Sequence, residues 1–176
     1  TSVESFQEWI KEVKHSLIFL YLYFQGEPFL HKDFLKIVQI AKQNNLFTIT
    51  STNGHFLTPS KCEDIIDSGL DRLIVSLDGL TQEVYQQYRI GGQVHKVIQG
   101  LETLVKAKKK RRASHPFIRL QMLVVAPNEH EIDAVRKLGN DLGVDEILFK
   151  TAQIYDFKGG HPLIPTIDKY SRYKKN

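Results

Sequence analysis

The sequence is poor in the residues that build redox and metal chemistry. Of its 176 residues one is cysteine, Cys62, so no internal disulfide can form and this chain alone cannot assemble a thiolate metal site. The seven histidines show no H-x3-H or H-E-x-x-H spacing, which leaves a zinc site without support. There is no G-x-G-x-x-G, and Gly91-Gly92 follows no strand directly; it reads as a turn between helices rather than a phosphate cradle. No apolar run approaches the roughly 18 to 20 residues that span a bilayer. The opening TSVESFQEWIKEVK carries acids and lacks a signal-peptide core. A cytoplasmic protein with no membrane partner is the expectation. Charge of one sign is also scarce: the formal net charge is +4, weak ground for a nucleic-acid partner.

What is present is a regular alternation. An amphipathic segment (Phe6, Trp9, Ile10, Val13) precedes the apolar run Leu17 to Phe24, which reads as a fully buried strand. Phe34, Ile37, Val38 and Ala41 then form a helical stripe. Leu46 to Thr50 is a second strand, and Thr58-Pro59 opens a helix bearing Cys62, Ile65 and Ile66 and stopped by Gly69. Arg72 to Leu77 is a third strand. Thr81 can cap a short helix, and a longer one runs through Val94, Val97, Leu101 and Val105. Ile118 to Val125 is the fourth strand. Asn128 with Glu131 resembles a capping box for a helix through Ile132, Val135 and Leu142, closed by Gly143. Glu146 to Lys150 is the fifth strand. Near-continuous apolar strands alternating with helices predict a parallel sheet covered by helices.

Ligands of such sheets bind at the carboxyl ends of the strands, and here those ends are polar. They supply Gln25-Gly26-Glu27-Pro28, then Ser51-Thr52-Asn53-Gly54, then Ser76 and Asp78-Gly79, then Gln121 and Asn128, and last Lys150, Thr151 and Gln153. Any one set serves as a turn or helix cap. Five successive sets on one face predict a binding face.

Quoted in order, YFQGEPFLH, TITSTNG and LIVSLDGLTQEVYQQYRIGG resemble the middle of a radical S-adenosylmethionine (radical SAM) enzyme, nearest to members with a cysteine-rich C-terminal SPASM domain. The resemblance runs from about Leu17 to Gln153. It implies a partial parallel (β/α) barrel of the α/β class, with five strands present and the first missing. It also implies reductive cleavage of S-adenosylmethionine to a 5′-deoxyadenosyl radical that abstracts hydrogen, here from a peptide or protein substrate. Gly26, Glu27 and Pro28 match the motif that binds the cofactor's methionyl ammonium. Ser51 and Asn53 match polar positions above the second strand, and Ser76 and Asp78 those facing the ribose. Arg89 resembles the arginine that pairs with the cofactor carboxylate. Adenine contacts are implied for main chain around Val125 and Lys150 to Ala152.

The family's cysteine loop, C-x3-C-x2-C, holds a 4Fe–4S cluster and is not in this sequence. Clusters need cysteine ligands, so the expectation is a cluster in a longer parent enzyme and none in this chain, which would be catalytically silent. Residues 1–157 are assigned to the barrel core and 158–176 to a linker or docked tail leading to a further domain. Two other readings stand beside this one. The first is a cluster-free binding or scaffold module for a nucleotide-like ligand or peptide. The second is a non-redox enzyme with Glu27 or Asp78 as general base. Outside the polar exits, KAKKKRR (Lys106 to Arg112) reads as a solvated helix end, Cys62 as a buried structural thiol, and His31 and His55 as exposed loop residues.

Overall fold

The chain makes its strands in the order in which they lie. The computed structural model, which describes residues 1–173, has five parallel strands in one sheet: β1 (Phe19–Tyr21), β2 (Phe47–Thr52), β3 (Arg72–Ser76), β4 (Phe117–Val124) and β5 (Glu146–Thr151). Their spatial order is the sequence order. Because parallel crossovers are right-handed, strands that always advance in one direction send every connecting helix to the same face. The helices are α1 (Val3–Val13), α2 (Phe34–Gln43), α3 (Pro59–Asp67), α4 (Gln82–Tyr88), α5 (Val94–Lys110) and α6 (Ile132–Leu142). The sheet is therefore an open part of a (β/α) barrel, as expected, with all its helices on one face; on the other, Leu123 joins a small cluster with Leu163, Ile164 and Tyr173 of the tail.

The residue pattern follows from that one-sided cover. Along β4 partly exposed residues alternate with buried ones for all eight positions. Ile118, Leu120, Met122 and Val124 enter the main core with Leu73 and Val75, Cys62, Ile65 and Ile66, Val97, Leu101 and Leu104, and Val135. A smaller core joins Val3, Phe6 and Ile10 to Leu20, Ile37, Ile40 and Leu46. Registered neighbours share a face, so the opposite face carries Phe19 and Phe47, then Tyr21, Ile49, Arg72 and Phe117, then Ser51, Ile74, Arg119 and Glu146, then Ser76, Gln121 and Leu148, and last Leu123 and Lys150.

Two expectations change. The first apolar run is a three-residue strand at the sheet edge rather than a fully buried one. Leu20 is buried and Leu17 and Leu22 pack partly against the helix-side core, while Ile18 and Phe24 are 81% and 91% exposed. The capping box is absent: Asn128 makes no side-chain cap, and both it and Glu131 reach back to the exit of β3, as described below. The tail docks. Tyr170 enters the main core, the Phe157 ring stacks on Tyr173 at 4.4 Å, and the Thr166 N–H donates to Glu129 at 2.7 Å.

Helix ends follow the sequence elsewhere. Ser2, Thr58 and Thr81 accept from the N–H groups three residues on, and Gly143 ends α6 at φ +79°. The basic run lies at the end of α5, where Arg111 pairs with Glu63 and Asp67, Lys108 with Asp145, and the Lys109 ammonium donates to the Leu142 carbonyl at 2.9 Å. Asp145 also takes the N–H of Ile118, near the start of β4, so this charge-matched cluster sits opposite the strand exits. Asp67 is held below the usual carboxylate range by its hydrogen bond to Arg111.

Cys62 is fully buried in the core, and burial pushes its thiol from 9.0 up to about 12. The folded chain should resist iodoacetamide, with modification tracking unfolding in urea. Because the folded value is the higher one, the unfolded chain ionises first as pH rises. Stability should therefore decline between about pH 9 and 12, and Cys62→Ala should flatten that decline in urea titrations at stepped pH.

Candidate functional site at the strand exits

Hydrogen bonds bracket the polar exits in two pairs, β1 with β2 and β3 with β4. Gly26 turns the chain at φ +81°, and Glu27 then caps the short helix Pro28–Leu30, accepting from the Phe29 N–H at 3.2 Å. Its carboxylate also crosses to β2. Oε1 accepts from the Thr52 hydroxyl at 2.8 Å and Oε2 from the Asn53 N–H at 2.7 Å. Three acceptor positions are thus used of about four on a carboxylate. Glu27 brackets the first two exits together, and its free capacity lies on Oε2.

Gly54 closes the same turn at φ +81°, and a Cβ there would lie 2.7 Å from Val97 Cγ1 of α5. The Asn53 side chain accepts from the His55 N–H at 3.0 Å. His55 is not an exposed loop residue. Its Nε2 accepts from the Gln93 N–H at 2.9 Å, which places the ring proton on Nδ1, facing the oxygens of Asn53. His31 is exposed, with Nε2 2.9 Å from the Thr1 carbonyl.

Asp78 does for β3 and β4 what Glu27 does for β1 and β2. It is 1% exposed; Oδ1 accepts from the Leu123 N–H at 2.7 Å and Oδ2 from Arg89 Nε at 2.6 Å. Arg89 ends α4 and lies over the Tyr88 ring, 5.4 Å from its centroid. Among the described residues its two Nη groups make no hydrogen bond, so the guanidinium is aimed by one edge and open on the other.

Asn128, expected among the polar exits, and Glu131, read only as part of a helix cap, complete this corner. The Asn128 amide donates to the carbonyls of Asp78 and Leu123, at 3.1 and 2.9 Å, and accepts from the Val125 N–H at 2.8 Å. Glu131 accepts from the N–H groups of Leu80 and Thr81, at 2.6 and 3.2 Å, and so anchors the entry of α4. The signal for them in the sequence was a buried polar pair on a loop after a strand, which a capping box imitates.

The remaining expected residues are placed as follows. Ser51 and Ser76 point to the open face with Gln121, and among the described residues none of their side chains hydrogen-bonds to protein. Pro28 lies in the short helix next to the Glu27 cap. Lys150 is exposed on the open face of β5. Val125 departs from its expectation: its N–H serves Asn128 and its carbonyl accepts from Asn128 and Glu129, so its main chain has little left for a base. A cleft of about 320 Å³ beside the first exit is lined by Leu22, Tyr23, Gln25, Glu27, Pro28 and His31 among others. Among the described residues, no group of histidine, cysteine and acidic side chains could hold a metal, and no helix is long and apolar enough to cross a membrane.

Comparison with known proteins agrees with this architecture. Residues 1–139 match the Radical SAM superfamily. The AdoMet-dependent heme synthase of Methanosarcina barkeri is 31% identical over 119 residues, covering 67% of this chain and 32% of that protein. A probable GTP 3′,8-cyclase of Methanocaldococcus jannaschii is 30% identical over 118 residues, covering 67% and 38%. The chain thus spans about a third of the length of these relatives. In structure it is similar to Streptococcus suis SuiB, solved with S-adenosylmethionine (TM-score 0.71, 12% identity, 90% of this chain and 35% of that one) and with the precursor peptide SuiA (TM-score 0.69, 12% identity, 85% and 32%).

Asn128→Ala should leave buried carbonyls and an N–H unpaired, each costing about 1–3 kcal/mol, so urea denaturation should show a loss of about 2–4 kcal/mol. Asn128→Asp, which returns the acceptor without the donors, should not recover it. With its parallel sheet, its strand exits and its sequence match in accord, the chain belongs to the Radical SAM superfamily.

Proposed function

We propose that this chain is the S-adenosylmethionine-holding core of a longer, cytoplasmic radical SAM oxidoreductase of the SPASM group. Its chemistry would be hydrogen abstraction from a peptide or protein substrate. The observation that carries the reading is the bracing of consecutive strand exits by Glu27 and Asp78, which leaves uncommitted donors pointing into one bowl.

The residues fit the cofactor by type. Glu27 retains an acceptor position on Oε2 for an ammonium, and Gly26 exposes main chain beside it. Arg89, fixed through Nε to Asp78, offers its Nη fork to a carboxylate. The hydroxyls of Ser51 and Ser76 and the Asn53 amide suit a ribose, and Lys150 to Ala152 border a base. Asp78 acts by positioning Arg89, since it is 1% exposed and each of its oxygens already accepts a hydrogen bond within the chain. When bound and reduced, S-adenosylmethionine supplies a 5′-deoxyadenosyl radical; the chain orients it and excludes solvent.

The cluster does not fit these residues. The single cysteine is buried under α3, its thiol is held protonated by burial, and clusters take thiolates. Cluster ligation is therefore assigned to other parts of the parent protein, and this chain alone to cofactor binding without turnover. The heme synthase, named AdoMet-dependent, and the two SuiB complexes support a shared cofactor and a peptide substrate.

The test uses the full-length parent, reconstituted anaerobically with iron and sulfide and then reduced. It should release 5′-deoxyadenosine; no cluster and no product would defeat the proposal. In the same protein Arg89→Lys and Ser76→Ala should each weaken S-adenosylmethionine binding by calorimetry, the first about tenfold, or ~1.4 kcal/mol. Unchanged affinity in both would remove the site map.

A further inference from the structure

The open face of the sheet carries a second polar feature, below the strand exits. Arg72 on β3 and Arg119 on β4 both point into the concavity, since Arg72 registers with Ile49 and Phe117, and Arg119 with Ile74 and Glu146. Their charge is incompletely matched. Arg119 donates through Nε to Glu146 at 2.6 Å. Arg72 has no acidic partner among the described residues; its guanidinium lies 5.0 Å from the Phe117 ring centroid, and its Nε is buried with no hydrogen-bond partner. A buried donor left unpaired is costly. With Lys150 above them, the open face carries three cations against the one acid Glu146.

From this we infer that the floor of the concavity is an oxyanion site, and that the substrate enters with a carboxylate or phosphate held by Arg72 and Arg119. At ~3.3 Å per residue and ~4.8 Å between strands, the two Cα atoms are ~8 Å apart, close enough for both forks to meet one anion. Arg119 shares its row with Ser51 and lies two residues below Gln121, so the anion sits ~6–7 Å beneath Ser76 and Gln121. The rest of the substrate then lies next to the bowl above. The walls are apolar, from Ile49, Ile74, Phe117 and Leu148, which strengthens charge-assisted hydrogen bonds by excluding water. The field of Arg119 reaches Tyr23 at the first exit, whose phenol is raised by burial and by Tyr21 and pulled back by Arg119. This site deepens the proposed function by naming the chemistry of the substrate, and only the word substrate rests on that proposal.

The test titrates this chain with inorganic pyrophosphate and, separately, with glutarate, reading the arginine Nε–H signals in nitrogen-15 spectra. Arg72 and Arg119 should shift saturably; the tighter probe tells phosphate from carboxylate. Arg72→Met keeps the aliphatic stem over Phe117, and the double change Arg119→Met with Glu146→Gln removes the pair without stranding a charge. Each should weaken the tighter probe at least tenfold. Saturable binding that survives both variants, and is lost instead on neutralising Lys108, Lys109 and Arg112, would overturn the inference. So would no binding of either probe while S-adenosylmethionine binding to the parent persists, an outcome that leaves the proposed function standing.

Discussion

Everything in this molecule depends on a sheet that advances in one direction. Because each crossover moves the chain one strand further with the same hand, all helices fall on one side and no strand is ever inserted between earlier ones. The cost is a face without helices and a first strand with one neighbour. The gain is that every strand ends at the same rim, so residues far apart in sequence become neighbours. Glu27 meets Asn53 across 26 positions and Asp78 meets Leu123 across 45.

At the rim the acids behave differently from the picture of bare carboxylates awaiting a ligand. Glu27 and Asp78 each accept hydrogen bonds from the end of a neighbouring strand. A loop that lacks a regular ladder must satisfy its N–H groups somehow, and a short acidic side chain does so without adding bulk. The same bonds fix the rim's shape, so a ligand meets groups already in place rather than ones that must be ordered on arrival. Arg89 shows the principle: one edge is anchored to Asp78 and the other is free.

Much of this was legible beforehand. The alternation of apolar runs with helical stripes located all five strands within a few residues, because strand and helix periods differ and turn residues punctuate them. The exits were readable because Gly, Ser, Asn and Asp clustered after each run. The first strand misled because its aromatic residues look buried in any list of hydrophobic residues, whereas Phe19 and Tyr21 face an uncovered side. Asn128 and Glu131 misled because a capping box and a long-range bracket use the same residue types; only the fold brings Leu80 and Asp78 within their reach. The pairing of Arg119 with Glu146 and the isolation of Arg72 were invisible for a related reason. Strand register decides which side chains share a face, and register is not written in spacing alone.

The loop between β4 and α6 has a wider consequence. Asn128 and Glu131 hold the entry of α4 and the Asp78 corner, while Glu129, between them, takes the N–H groups of Thr166 and Ile167 from the tail. Three residues of one four-residue stretch thus grip the strand exits on one side and the tail on the other. A pull on that segment would act on the loop whose Asn128 holds the Asp78 main chain, and through the Asp78 carboxylate on the Arg89 guanidinium.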